Sequence, residues 1–356
     1  MNQESLTRQS IELLKQLIET PSFSRQEHQT GDLIEQYLTD QGVEADRIHN
    51  NIWARNKHYD PALPTVLLNS HHDTVKPNEG YTIEPFAATV KDDTIYGLGS
   101  NDAGGPLVSL IATFLHFYDQ ESLSWNLLFC ASAEEEIAGE NGIAAAVEAM
   151  PSFDCAVIGE PSKMEMAIAE KGLMVLDCTV NGKSGHAARN EGENAIYNAM
   201  QEIEWFKNFS FKKESEMLGP VKMTVTIIQS GSQHNVVPDR CTFTVDVRTT
   251  DAYSHEETLA IIRDHLTCKA EPRSMRLRPS SIPPDHPLVE AGRALGLKTI
   301  GSPTLSDQAQ IPAPSLKVGP GDSARSHTPD EYIHISEIEE GIDLYIRLLE
   351  QVVKSK

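Results

Sequence analysis

Three short, continuously apolar runs mark the first half of the chain: Thr65-Val66-Leu67-Leu68, Leu127-Leu128-Phe129 and Ala156-Val157-Ile158, with helical patterns between them. A strand that is apolar at every position must be covered on both faces. Such strands separated by helices predict an α/β fold on a mainly parallel sheet with helices on either side. Each run is followed within a few residues by groups that bind protons or metals: His71, His72 and Asp73 after the first, Glu134, Glu135 and Glu136 after the second, and Glu160 after the third. The C-terminal edge of an open parallel sheet is where ligand crevices form.

The flanking segments fit this plan. Leu6, Leu13, Leu14, Leu17 and Ile18 recur at helical spacing until Thr20-Pro21 stops the pattern, and a second helix around Ile34, Tyr37 and Leu38 ends at Gly42. Further helices are expected over residues 107–117 and 143–150. After Lys171-Gly172 the pattern changes: residues 173–180, 221–228 and 242–247 alternate as half-exposed strands do, and helices fit at 195–206 and 256–265. This predicts a small α+β domain with an antiparallel sheet, inserted into the first. The Pro-rich segment from Pro279 to Pro284 is the natural return linker, and a helix at 288–295, a strand at 315–318 and a long helix at 335–353 complete the first domain. A chain of 356 residues is too long for one comfortable core. The expected division is 1–172 with 280–356 as the metal-binding catalytic domain and 173–279 as the insert.

A formal net charge of −22 repels polyphosphates and anionic headgroups, which argues against nucleic acid or a membrane surface as partner. The five cysteines are odd in number, scattered and mostly inside apolar runs, as small core residues of a reduced intracellular protein would be. With a polar start, MNQESLTRQS, and no stretch long enough to span a bilayer, the expectation is a soluble cytoplasmic protein.

Two imidazoles, a compact set of carboxylates and no cysteine pattern point to zinc or a similar divalent ion rather than to a nucleophilic triad. Strand side chains alternate, so His71 and Asp73 share a direction while His72 points the other way. Asp73 is expected to accept the remaining ring N–H of His71; the plainer reading is a histidine pair on an exposed loop. Asp102, in Gly97-Leu98-Gly99-Ser100-Asn101-Asp102-Ala103-Gly104-Gly105, precedes a helix and could simply cap it. The glycines permit unusual backbone angles that would turn its carboxylate toward an ion, and one carboxylate between two cations holds them close. Acid runs such as Glu134-Glu135-Glu136 are usually solvated faces, but three carboxylates ending a buried strand repel one another unless a cation compensates. Glu160, in Gly159-Glu160-Pro161, is either a ligand or a turn acid, and His327 lies on a loop rich in glycine and proline.

The order His-x-Asp, Gly-x-Gly-x-x-Asp, Glu-Glu, Gly-Glu-Pro and Ser-His-Thr-Pro-Asp-Glu resembles the M20 metallopeptidase and deacylase family across essentially the whole chain. The resemblance implies two divalent metal ions, Zn2+ first, with Co2+ or Mn2+ as substitutes. One is held by His71, Asp102 and Glu160 and the other by Asp102, Glu136 and His327, with a shared water. Glu135 stays off the metals as general base, and the peptide after Asp102 is cis. Many relatives carry Asp-Met-Lys-Gly where this chain has Asp102-Ala103-Gly104-Gly105, a departure that bears on subfamily more than on metal binding.

The same resemblance implies that the insert is a ferredoxin-like lid and dimerisation domain. Its His186, in Gly182-Lys183-Ser184-Gly185-His186-Ala187-Ala188, would bind the oxyanion across a homodimer interface. Asn235 and Arg248 would grip the substrate carboxylate, for which the planar guanidinium is suited; otherwise His186 is a surface histidine and Arg248 a partner for Asp246 or a neighbour. Residues 302–308 resemble deacylases of arginine and lysine biosynthesis, with Asp307 as partner for a distal amino group. The expected activity is removal of an acyl group from a small N-acyl amino acid, N2-acetylornithine first. The alternatives are acetylcitrulline or succinylated substrates, succinyl-diaminopimelate, dipeptide or carboxypeptidase chemistry, and a binding protein that has lost catalysis.

Overall fold

The computed structural model describes residues 3–354. The chain divides into two compact units: 1–168 with 281–300 and 306–356 form the first, and 169–280 with 301–305 form the second.

In the first unit the central strands Asn126–Ser132, Thr65–His71, Cys155–Ile158 and Ser315–Lys317 lie side by side in that order, and all are parallel. Their burial explains their composition. Val66 and Leu68 join a core formed with the helices Gln3–Glu19, Gly105–Phe117 and Ile335–Val353, whereas Leu67 packs on the opposite face with Leu128, Ala156 and residues of helix Ile143–Ala149. A strand sandwiched in this way has no solvent face on which to place a polar side chain. Helix Gly105–Phe117 is likewise mostly apolar because it is buried on nearly every side, with Leu107, Leu110, Ile111, Phe114 and Phe117 inaccessible.

The sheet is mixed rather than mainly parallel. A hairpin of Ala45–Ile48 and Asn51–Arg55 adds antiparallel to Asn126–Ser132 at one edge, and Met166–Glu170 pairs antiparallel with Ser315–Lys317 toward the other. The hairpin carries Asp46, Arg47 and Arg55 at positions that reach solvent, so no apolar run announces it. A separate small sheet joins Tyr332–His334, Thr94–Tyr96 and Thr89–Lys91.

The second unit holds a four-stranded antiparallel sheet in the order Lys222–Ser230, Arg240–Thr249, Gly172–Asn181, Lys269–Pro272. With helices Ala195–Asn208 and His255–His265, the chain order is β-α-β-β-α-β. Along Gly172–Asn181 the inward residues Met174, Leu176, Cys178 and Val180 alternate with more exposed ones, the signature of a sheet covered on one face. Asn194 caps the first helix and a Ser254–Glu257 capping box starts the second. Among the described residues no helix is long and apolar enough to cross a membrane.

Candidate metal centre

The strand ends bring the acids and imidazoles together within the first unit. His71 closes its strand almost fully buried, and its Nδ1 donates to the main-chain carbonyl of Asp73 at 3.0 Å. That bond fixes the tautomer and leaves Nε2 facing acids: Asp102 Oδ1 at 3.1 Å, Glu160 Oε1 at 3.7 Å and Glu135 Oε2 at 4.0 Å. On the other side, His327 Nε2 stands 3.0 Å from Glu136 Oε2 and 3.6 Å from Asp102 Oδ2. The two oxygens of Asp102 therefore face two different imidazoles. Asp102 sits in a turn entered through Gly99, whose φ of 76° is left-handed, and its peptide with Ala103 is cis.

Pairwise contacts link all five expected ligands, with Asp102 in both halves. Two overlapping donor sets, His71 with Asp102 and Glu136 and His71 with Glu135 and Glu160, each have all donor atoms within 4.8 Å of one another. The pairings differ from the expected partition, and the pairwise contacts describe it better, because they place His327, which neither set contains.

The electrostatics fit a cation pair. Burial, then the charge of Asp102, pushes Glu160 up to about 8. Burial raises Glu135 well above its usual range, reinforced by Glu160 and Asp307, and burial raises Glu136 as well. The hydrogen bond with Glu136 lifts His327 to about 9. Such a cluster holds extra protons, and imidazole nitrogens with carboxylate oxygens at this spacing are the donor set that divalent zinc, cobalt or manganese takes in their place.

Asp73 does more than expected. Its carboxylate Oδ1 faces His71 Nδ1 at 3.5 Å, beside the shorter contact made by its own carbonyl. In addition Oδ1 accepts from the main-chain N of Glu135 at 3.0 Å, and Oδ2 accepts from that of Glu136 at 3.2 Å and from Ser24 Oγ at 2.7 Å. Asp73 is the anchor of the Glu135–Glu136 turn, which begins at Glu134 with a left-handed φ of 54°. His72 does point the other way, bonded to Thr30 Oγ1 and the Asn50 carbonyl, and burial holds it at about 4, neutral and structural.

Asp307 is buried in the first unit, its Oδ2 accepting from Asn69 Nδ2 at 2.8 Å and Ser132 Oγ at 2.5 Å. It thus links the two strands that deliver His71 and the glutamates. Glu331, which carried no role in the sequence reading, is also buried, and its Oε1 accepts from the main-chain N of both Asn101 and Asp102 at 2.9 Å. Burial, then Asp102, raises it to about 8. The one sign of it in the sequence is its place at the end of the Ser-His-Thr-Pro-Asp-Glu run that contains His327.

The remaining expected residues lie in the second unit. His186 is exposed on the two-residue strand Gly185–His186, paired with Val236–Val237, and its Nδ1 accepts from the Ala188 N at 3.1 Å. Asn235 is adjacent, its carbonyl accepting from the Ala187 N. Arg248 makes a two-pronged ion pair with Asp246 at 2.9 and 3.1 Å, the plainer arrangement weighed for it.

Residues 67–351 match the model of peptidase family M20/M25/M40. An acetylornithine deacetylase of Klebsiella pneumoniae (strain 342) is 28% identical, over 91% of this chain and 92% of its own. A tripeptidase of Staphylococcus aureus subsp. aureus Mu50 has the same fold with a TM-score of 0.77 at 21% identity, covering 99% of this chain and 98% of its own. A dinuclear metal-binding M20 peptidase of Bacillus subtilis matches with a TM-score of 0.73 at 19% identity, over 99% of this chain and all of its own. A family match over that span, on a chain whose strand ends gather the acids and imidazoles described above, makes this protein a member of peptidase family M20/M25/M40 and a hydrolase.

Proposed function

We propose that this hydrolase is a two-metal amidohydrolase that removes an N-acyl group from a small amino acid, with N2-acetylornithine as the first substrate to test. The observation that carries the reading is Asp102, whose two carboxylate oxygens face His71 and His327 at 3.1 and 3.6 Å. His71, Asp102 and Glu160 would hold one ion, and Asp102, Glu136 and His327 the other. Bound there, divalent cations would lower the pKa of a water and polarise a carbonyl.

The chain's own residues supply the rest. Glu135 reaches the cluster but stands 4.0 Å from His71 Nε2, beyond hydrogen-bond distance, which leaves its carboxylate available to take a proton from water and return it to the leaving amine. Asp73 holds Glu135 and Glu136 by their amides, so base and ligand move as one piece. His186, whose Nδ1 already accepts from Ala188, presents Nε2 as a donor for an oxyanion. Arg248 and Asn235 are assigned to the substrate carboxylate, Arg248 exchanging its pairing with Asp246. Asp307 is assigned to a distal amino group through Oδ1, which has no hydrogen-bond partner.

The second unit is proposed as a ferredoxin-like lid through which two copies pair. Strand Lys222–Ser230 is at the edge of its sheet, and Ile227 and Ile228 on it are 50% and 53% exposed. Tyr197 and Met200, on helix Ala195–Asn208, are 67% and 60% exposed. An open edge with apolar side chains invites a second copy. Ile228→Glu is expected to convert a dimer to a monomer by light scattering, and a monomeric parent chain would refute the pairing. A cytoplasmic setting is part of the proposal, supported by five free thiols.

Turnover of acetylornithine, acetylcitrulline, succinyl-diaminopimelate and a dipeptide panel by zinc-loaded enzyme tests the substrate. A dipeptide hydrolysed faster than every N-acyl amino acid overturns the deacylase reading.

A further inference from the structure

The Asp102 turn and the His327 loop are joined by more than their shared place at the cluster. Asn101 Oδ1 accepts from the Asp322 N at 2.9 Å and its Nδ2 donates to the Asp322 carbonyl at 3.1 Å, which stitches the turn to the start of the loop. At the far end of the loop, Asp330 accepts from the main-chain N of Thr82 and Ile83 at 2.7 and 2.8 Å. Tyr332–His334 then pairs with Thr94–Tyr96. Between these anchors the Glu331 carbonyl accepts from the Gly97 N at 2.9 Å, and its side chain runs inward, only 1% exposed, to take the amides of Asn101 and Asp102 on one oxygen.

A buried carboxylate is costly to keep unless it is bonded, and here one bond comes from the amide of Asp102, which faces both imidazoles, and the other from the amide of Asn101 just before it. The Asp102 backbone cannot shift without breaking them. We propose that Glu331 is a positioning residue that sets the reach of Asp102 toward both ions, acting as a hydrogen-bond acceptor for the turn rather than as a charge at the metals. This rests on the two-metal reading given above.

Two substitutions separate acceptor from charge. Glu331→Gln keeps an oxygen at full reach and removes the charge. Glu331→Asp keeps the charge but ends one carbon–carbon bond, about 1.5 Å, short of the amides. Metal affinity measured by competition with a chromogenic chelator, together with the visible absorption of the cobalt-loaded protein, reads the ligand geometry without relying on turnover.

E331Q is expected to bind two ions within about threefold of the parent, with the parent's cobalt spectrum. E331D, like E331A where that folds, is expected to bind about 10- to 100-fold more weakly with an altered spectrum, the usual cost of losing a group that orients a ligand. In turnover E331D should lose kcat with KM little changed. The proposal is overturned if E331D binds and absorbs as the parent does, or if E331Q is as impaired as E331D. A parent chain that takes up no ion overturns the two-metal reading and this one together, whereas a parent that binds two ions alongside an unimpaired E331D overturns this one alone.

Discussion

Replacing Asp73 by asparagine removes one oxygen from a carboxylate that serves three donors, and the surroundings dictate which donor loses. His71 Nδ1, which carries a hydrogen toward the Asp73 carbonyl, lies 3.5 Å from Oδ1, so the amide places its oxygen there and its NH2 at the Oδ2 position. Glu135 N keeps its acceptor. Ser24 can rotate its hydroxyl to accept from the new NH2, but Glu136 N, which donated to Oδ2 at 3.2 Å, now meets another donor. One buried amide left unpaired costs about 2 kcal/mol, and at roughly 2–4 °C per kcal/mol for a unit of this size the unfolding midpoint should fall by about 4–8 °C. Glu136 is the partner of His327, so the ion on that side should be lost first, taking the content per chain from two toward one. Displacing a ligand by even an ångström costs on the order of 100-fold in turnover. Calorimetry, elemental analysis and turnover on one preparation check all three. Asp73→Asn protein with two tightly held ions and an unshifted midpoint would show that the carboxylate does not hold the Glu135–Glu136 turn.

Glu135→Gln and His327→Ala make a contrasting pair. The first should retain both ions and lose about 100- to 10,000-fold in turnover, while the second should lose an ion, and equal turnover in Glu135→Gln and parent would remove the base assignment. The metal-free protein should lose stability as pH rises. Glu160, lifted from 4.5 to about 8, and His327, lifted from 6.5 to about 9, both bind their protons more tightly when folded, so what they contribute is complete below the lower value and gone above the upper. Their windows overlap between 6.5 and about 8, where the midpoint should fall most steeply, and saturating zinc should abolish the fall because the ions bind the deprotonated donors. A metal-free midpoint that rises across that window would contradict the proton-holding cluster.

The parts of the fold that the sequence displays are those where burial is two-sided or strictly alternating. Thr65–His71 and Asn126–Ser132 are buried at every position, and Gly172–Asn181 alternates. The Ala45–Ile48 and Asn51–Arg55 hairpin gave no signal because it closes the sheet at an edge, where Asp46, Arg47 and Arg55 meet solvent and pairing is supplied by backbone. The same reason hid half of the site. His71, Asp102, Glu136, Glu160 and His327 are visible because they follow apolar strands or sit among glycines, whereas a carboxylate that binds main-chain amides needs no particular residue opposite it. Asp73 faces the imidazole of His71 and also holds two amides that the sequence does not announce. Glu331 stood in a recognised motif with nothing to show what it touched.

These supporting acids obey one physical rule. The turn of Glu135 and Glu136 is held through its amides by Asp73, the turn of Asp102 by Glu331, and Glu134, where the first of these turns begins, donates its main-chain N to the buried Glu27 at 3.2 Å. Such a turn cannot be stiffened by packing alone, because its side chains face the cluster of acids and imidazoles and not an apolar core. Its amides are the groups left to grip, and a buried carboxyl group can accept two or three of them at once. An acid-rich chain with a formal charge of −22 therefore uses its carboxylates at this centre in two ways, one set facing the imidazoles and the other fixing the backbone that carries them. Neutralising Glu331 while keeping the oxygen that takes the amides of Asn101 and Asp102 should weaken metal binding far less than shortening it, whereas Asp73, whose two oxygens each take an amide, cannot be neutralised without leaving one of them unpaired.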